Sequence, residues 1–120
     1  MPLRCLLVDD SNEFLTSAAQ LLGSQGLEMV GCASSADEAL RLAETLEPHV
    51  ALVDIELGDE DGIELTRELQ ARAPSTRVVL ISAYERDELT DLISDSSAVG
   101  FLPKSALGAP AIVAMLGTRA

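Results

Sequence analysis

Cys5-Leu6-Leu7-Val8-Asp9-Asp10 is a short, continuous apolar run halted by two aspartates, and the pattern returns at Val50-Ala51-Leu52-Val53-Asp54. A helical pattern follows the first run, with Ser11 as N-cap and Phe14, Leu15, Ala18, Leu21 and Leu22 on one face. Gly23 and Gly26 close it, and Leu27 to Cys32 reads as a second strand. Ser35 and Glu38 form an S-x-x-E capping box ahead of Ala36, Ala39, Leu40 and Ala43, and Pro48 ends that unit. After Asp54 a polar, glycine-containing loop runs to Gly62, where a helix with Leu65 and Leu69 inward begins and extends to about Arg72. Val78-Val79-Leu80-Ile81 is the fourth strand, Asp87 to about Ser94 a short helix, Val99 to Leu102 a fifth strand, and a last helix starts near Pro110.

Apolar strands without polar alternation are buried on both faces, which calls for a parallel sheet with helices on either side. Five such units predict an α/β fold, a flavodoxin-like three-layer (βα)5 domain over residues 1–120 with strand order 2-1-3-4-5. The chain has 120 residues, of which 48% are hydrophobic, which suits one domain with one real core. Aromatics are only 2%, so Leu, Val, Ile and Ala must fill that core. Cys5 and Cys32 lie in the strand runs without metal-ligand spacing and read as small buried hydrophobes, not a disulfide.

Charge narrows the partners. Acidic residues outnumber basic ones 20 to 8, for a formal charge of -12, and most of these carboxylates are expected on a solvated surface. Such a field repels phosphate backbones and anionic lipids, arguing against nucleic-acid or membrane binding by this domain. No apolar run approaches the ~20 residues of a membrane helix, and Met1-Pro2-Leu3-Arg4 is not a secretory start, so a cytoplasmic location is expected.

In open α/β sheets the ligand site lies beyond the carboxyl ends of the strands, where the strand order switches. Here strand one ends in Asp9 and Asp10, strand three in Asp54 and strand four in Ser82, and Lys104 follows strand five. Strands one and three are neighbours in the expected order, so three carboxylates should crowd one crevice, a situation that demands a cation. Oxygen-only ligands suit Mg²⁺, or Mn²⁺ in its place. An ionised Asp54 could then act as nucleophile toward a phosphoryl group, with Lys104 supplying a point charge and Ser82 a hydroxyl donor.

At this point the sequence resembles the receiver domains of two-component response regulators, over essentially the whole chain. The matching segments are Leu6-Leu7-Val8-Asp9-Asp10-Ser11, Leu52-Val53-Asp54, Gly62, Ile81-Ser82-Ala83 and Gly100-Phe101-Leu102-Pro103-Lys104. The resemblance implies that Asp54 receives a phosphoryl group from a sensor histidine kinase or a histidine phosphotransfer protein. It implies that Asp10 and Asp54 ligate Mg²⁺ directly, that Asp9 acts mostly through water, and that Glu56 offers its backbone carbonyl. Ser82 and Phe101 match the switch pair, whose inward movement would alter the face made by the fourth helix, fifth strand and fifth helix. That face, or one made by the first and fifth helices, could carry a homodimer. The segment from Gly100 to Ser105 is similar to receivers that precede a helix-turn-helix output domain. Such a domain is a signalling acceptor and not an enzyme beyond its own phosphorylation and dephosphorylation.

Three departures stand out. Many members have proline where Gly58 stands, and one after the lysine where Ser105 stands. Without proline a cis bond at that second position would cost about 3 kcal/mol. Phe101 replaces a frequent tyrosine, so the switch ring has no hydroxyl to satisfy. His49 reads as an exposed loop residue at the far end of strand three, and Tyr84 as a residue on the rim of the site. Competing classes fit less well. A Mg²⁺-dependent aspartyl phosphatase would want its nucleophile after an early strand and a cap domain. A flavin carrier would want an anion cradle where Asp9-Asp10 stands, and an interaction-only pseudo-receiver would lack the aspartate or the lysine.

Overall fold

The computed structural model describes residues 3–83 and 98–116. Its main sheet has five strands, numbered here on their own: β1 Arg4–Val8, β2 Glu28–Ala33, β3 Val50–Asp54, β4 Arg77–Ser82 and β5 Gly100–Pro103. They lie parallel in the order β2-β1-β3-β4-β5, as the sequence predicts. The helices are α1 Asn12–Ser24, α2 Ala36–Leu46, α3 Gly62–Arg72 and a C-terminal helix Ala109–Met115. The expected helix over Asp87 to Ser94, and Tyr84, lie outside the described residues.

Alternation along the strands sorts the core into two layers. Leu6, Val8, Ala51, Val53, Val78 and Leu80 pack with Leu40, Leu65 and Leu69 of α2 and α3. Cys5, Leu7, Val50, Leu52, Val79 and Ile81 pack with Leu15, Leu22 and Ile112 of α1 and the C-terminal helix. The runs 5–8, 50–53 and 78–81 of the central strands are therefore apolar at every position because both their faces are covered.

Caps fix where the helices begin. Ser11 Oγ accepts from Phe14 N–H at 3.2 Å, and Ser35 Oγ accepts from Glu38 N–H at 3.3 Å. The capping box is closed one residue early, since Glu38 Oε1 accepts from Ser34 N–H at 3.0 Å. Asp61 Oδ1 accepts from Ile63 N–H at 2.9 Å and caps α3. The C-terminal helix has Gly108 at its N-cap, and the missing side-chain acceptor comes from α1's end, where Gln25 Oε1 accepts from Ala109 N–H at 2.7 Å.

Two burial expectations are corrected. Leu21 is 42% exposed. It lies about 90° around the helix from the centre of the face formed by Leu15, Ala18 and Leu22, on the flank it shares with half-buried Phe14. Cys32 is exposed because β2 is the edge strand, whereas Cys5 on central β1 is buried. Burial, with Cys32 adding to it, pushes the Cys5 thiol up to about 12. His49 is exposed in the loop before β3, where its Nδ1 accepts from Arg4 N–H at 2.8 Å. One small element escapes the sequence reading: a hairpin pairing Glu56–Leu57 with Glu60–Asp61.

Candidate metal and phosphoacceptor site

β1 and β3 are adjacent, with Val8 in register with Val53, so the residues leaving their ends meet. Asp9 is fully buried, Asp54 is 6% exposed, and Asp10 is exposed. One carboxylate oxygen from each of the three lies within 4.8 Å of the others. That is the crowding expected from the strand order.

Backbone donors fix two of these side chains. Asp9 Oδ1 accepts from Ser11 N–H at 2.8 Å, and Asp54 Oδ1 accepts from Glu56 N–H at 3.0 Å. Each is a carboxylate gripped by the amide two residues on, so the turn that ends the strand also aims the side chain. Exposed Glu56 thus meets Asp54 through its amide. Lys104, in the 3-10 turn after β5, brings Nζ to 2.6 Å from Asp9 Oδ2 and 3.3 Å from Asp54 Oδ2.

The electrostatics favour an added cation. Burial raises the Asp54 carboxyl to about 6; the Asp9 charge adds to this, while the Glu56 amide and Lys104 oppose it. Burial alone would lower the Lys104 ammonium, but Asp9 and Asp54 together outweigh it and hold the group above its ordinary value. Despite the close Lys104 contact, Asp9 Oδ2 is buried without a hydrogen bond of proper geometry. An oxygen-only set of three carboxylates with one incompletely satisfied buried oxygen fits a hard divalent cation such as Mg²⁺.

The remaining expected residues are placed by register. Ser82 is buried at the end of β4, one residue beyond Ile81, which pairs with Asp54. Phe101 on β5 pairs with Leu80 and packs, half-buried, against the layer shared with α2 and α3. By alternation Ser82 belongs to the face of Val78 and Leu80, so Ser82 and Phe101 share one face of neighbouring strands.

Three features were not foreseen. Phe14 lies under Lys104, its ring centroid 4.1 Å from Nζ. Gly58 has φ +60°, and a Cβ there would stand 3.2 Å from Asp10 Oδ2. Glu60 Oε1 accepts from Ala36 N–H at 2.9 Å, tying the acidic loop to the first turn of α2. The only sequence signal for these was the acidic, glycine-flanked stretch itself, since Phe14 reads as one more apolar helix position.

A doubly wound α/β fold with an acidic pocket and one lysine at the carboxyl edge of the sheet defines a small class of proteins. The chain belongs to the response regulator receiver domain family, whose model matches residues 5–116. It is 34% identical over 105 residues to the response regulator GacA of Pseudomonas protegens, covering 87% of this chain and 49% of that protein. The chain therefore spans about half the length of such relatives. The receiver domain of the response regulator NarL from Mycobacterium tuberculosis superposes with a TM-score of 0.85 at 27% identity, covering 98% of each chain. A response regulator from Burkholderia pseudomallei, solved with a phosphorylated aspartic acid, a calcium ion and citrate, gives 0.83 at 27% identity, covering 97% of this chain and 67% of that one.

Proposed function

We propose that Asp54 is the phosphoacceptor of this receiver domain. The observation that carries the reading is the position of Asp54: buried at the end of β3, 3.3 Å from Lys104 and clustered with Asp9 and Asp10. An Asp54 carboxylate oxygen attacks the phosphorus of a phosphohistidine, the P–N bond breaks, and the imidazole leaves with the electron pair and takes up a proton. The product is an acyl phosphate on Asp54. Asp10 and Asp54 would hold Mg²⁺ or Mn²⁺ directly, with Asp9 acting through water and Glu56 through its carbonyl. The cation, when bound, supplies positive charge against the phosphoryl oxygens. Lys104 faces those oxygens from the other side, and Ser82 donates its hydroxyl to one of them.

Ser82 and Phe101 complete the reading, because they share one face of neighbouring strands. Drawing Ser82 toward the phosphoryl group leaves room that the Phe101 ring fills, and lacking a hydroxyl the ring buries without needing a partner. The surface altered would include β5, the C-terminal helix and the fourth helix expected from the sequence. That surface would pass the signal to an output domain, such as a helix-turn-helix domain, or to a second copy of the chain. The phosphodonor is a sensor histidine kinase or a phosphotransfer protein, and the setting is cytoplasmic. No helix among the described residues is long and apolar enough to cross a membrane. The domain's own chemistry would be confined to its phosphorylation and dephosphorylation.

Acetyl phosphate with Mg²⁺ should add one phosphoryl group to the wild-type chain, and Asp54→Asn should take none. Full labelling of the Asn variant would overturn the assignment. For the switch, beryllofluoride should shift the NMR signals of Phe101 as well as those of the acidic loops. Shifts confined to the loops would count against it.

A further inference from the structure

Phe14 is one of only two phenylalanines in the chain, and it stands in the first turn of α1, on the flank of the buried face. Its ring centroid is 4.1 Å from an ammonium that also touches Asp9 at 2.6 Å and Asp54 at 3.3 Å. Lys104 has three N–H donors; beside its hydrogen bond to Asp54 and its ion pair with Asp9, its further partner among the described residues is the ring face, the negative side of the ring's quadrupole. The contacts form a closed circuit. Asp9 Oδ1 accepts from Ser11 N–H, Ser11 Oγ accepts from Phe14 N–H, the Phe14 ring underlies Lys104, and Lys104 returns to Asp9.

We infer that Phe14 is a positioning residue that holds Lys104 in place during phosphoryl acceptance, an assignment that rests on the receiver reading above. Both carboxylate partners of Lys104 change in that reaction. Asp54 gives up carboxylate charge to the acyl phosphate bond, and a cation held by the acidic cluster would share the charge of Asp9. The ring keeps its quadrupole throughout, so among the described residues it is the partner of the ammonium that the chemistry leaves unaltered. A purely packing role would demand only apolar volume, which leucine supplies as well as phenylalanine.

The test compares wild type, Phe14→Leu and Phe14→Tyr by acetyl phosphate labelling at saturating Mg²⁺, Mg²⁺ titration, and the proton shifts of the Lys104 ε-methylene. The Leu variant should be labelled about three- to tenfold more slowly, the size of one cation–π contact. Its Mg²⁺ affinity should be unchanged, and the upfield ring-current shift of Lys104 should vanish. The Tyr variant should restore both rate and shift. A Leu variant labelled as fast as wild type, or a Tyr variant as slow as Leu, overturns the inference. If the wild type is not labelled at all, the receiver reading fails instead. The ring-current shift still decides the contact then, because its absence in wild type refutes the placement. Should Phe14→Leu not fold, Phe14→Met, a flexible isostere without a ring, replaces it with the same expected outcomes.

Discussion

A Cβ at Gly62 would lie 2.0 Å from the backbone carbonyl oxygen of Asp54, with the Asp54 carbonyl carbon and Ile55 Cα each at 2.9 Å. The first residue of α3 is thus pressed onto the stretch of backbone that presents the phosphoacceptor. Its N–H donates to Ile55 O at 3.0 Å, and its carbonyl accepts from Thr66 Oγ1 at 2.8 Å, so it is held from both sides.

Two effects oppose each other at that position. Helix propensity favours alanine over glycine by about 0.5–1 kcal/mol. The contact is with backbone, which cannot yield as a flexible side chain would, and overpacking dominates. Gly62→Ala should cost at least about 3 kcal/mol, read as a lower urea midpoint. A midpoint at or above wild type would mean that α3 can retreat from β3 freely.

The raised Asp54 carboxyl gives the metal-free protein a pH signature. Its folded value is about 6 and its ordinary value 3.8, so between these the native state holds a proton that the unfolded chain has released. The Asp54 contribution to native stability is therefore greatest near and below the lower value and declines as pH rises through the upper one, by about 2–3 kcal/mol in all. Asp54→Asn removes this component. With EDTA present, the variant should gain on wild type steadily from about pH 4 to about pH 7. A difference that stays flat with pH would show that burial does not penalise the ionised carboxylate.

Asp9 and Asp10 should differ as metal ligands, because the protein already engages one of them. Asp9 is buried, bonded to Ser11 N–H and paired with Lys104, whereas Asp10 is exposed at the crevice mouth. Asp10→Ala should weaken Mg²⁺ binding at least about tenfold, or 1.4 kcal/mol. Asp9→Ala should weaken it less, and it should also leave the Lys104 ammonium with one carboxylate fewer, visible as a change in labelling rate. Calorimetric titration ranks the two, and an Asp10→Ala variant that binds like wild type would remove Asp10 from the site.

How much of this was readable in advance follows from how each feature is encoded. The five main strands and their order were legible because runs such as Leu52-Val53 must be apolar on both faces, and because aspartates stop them at one edge. The same rule places Asp9, Asp10, Asp54 and Lys104 at one edge, where the structure brings them together. The hairpin at Glu56–Leu57 and Glu60–Asp61 was not legible, since two-residue strands are too short to show a period. Leu57 is 1% exposed, but a single apolar residue in an acidic loop announces nothing about which layer receives it. Phe14 and Leu21 satisfy the helical spacing that marks a buried face, although both lie on its flank. Spacing counts apolar positions more reliably than it finds the centre of the stripe. Phe14's place beneath Lys104 depends on the 3-10 turn after β5 arriving at the first turn of α1, a tertiary fact that no local pattern contains.

The last prediction concerns Gly58, where the sequence departs from the proline common in its family. Gly58 has φ +60° and Asp59 does not share the positive φ, the pattern of a two-residue hairpin turn with glycine first. Proline is fixed near φ −65° and cannot adopt this turn. Gly58→Pro would therefore have to unmake the hairpin, although it restores the commoner residue. That would expose Leu57, which is buried in the layer beneath α3, and pull Glu60 away from Ala36 N–H. The cost should be about 2 kcal/mol or more. Gly58→Ala is the finer probe, since it keeps the turn possible at about 1–2 kcal/mol of left-handed strain. Its added Cβ would also meet Asp10 Oδ2 at 3.2 Å and displace that carboxylate, so Mg²⁺ affinity should fall together with stability. Urea midpoints and Mg²⁺ titrations on both variants check this. A proline variant as stable as wild type would show that the turn geometry is not what glycine serves here. An alanine variant with lower stability but undiminished Mg²⁺ binding would show that Gly58 serves the turn alone and not the placement of Asp10.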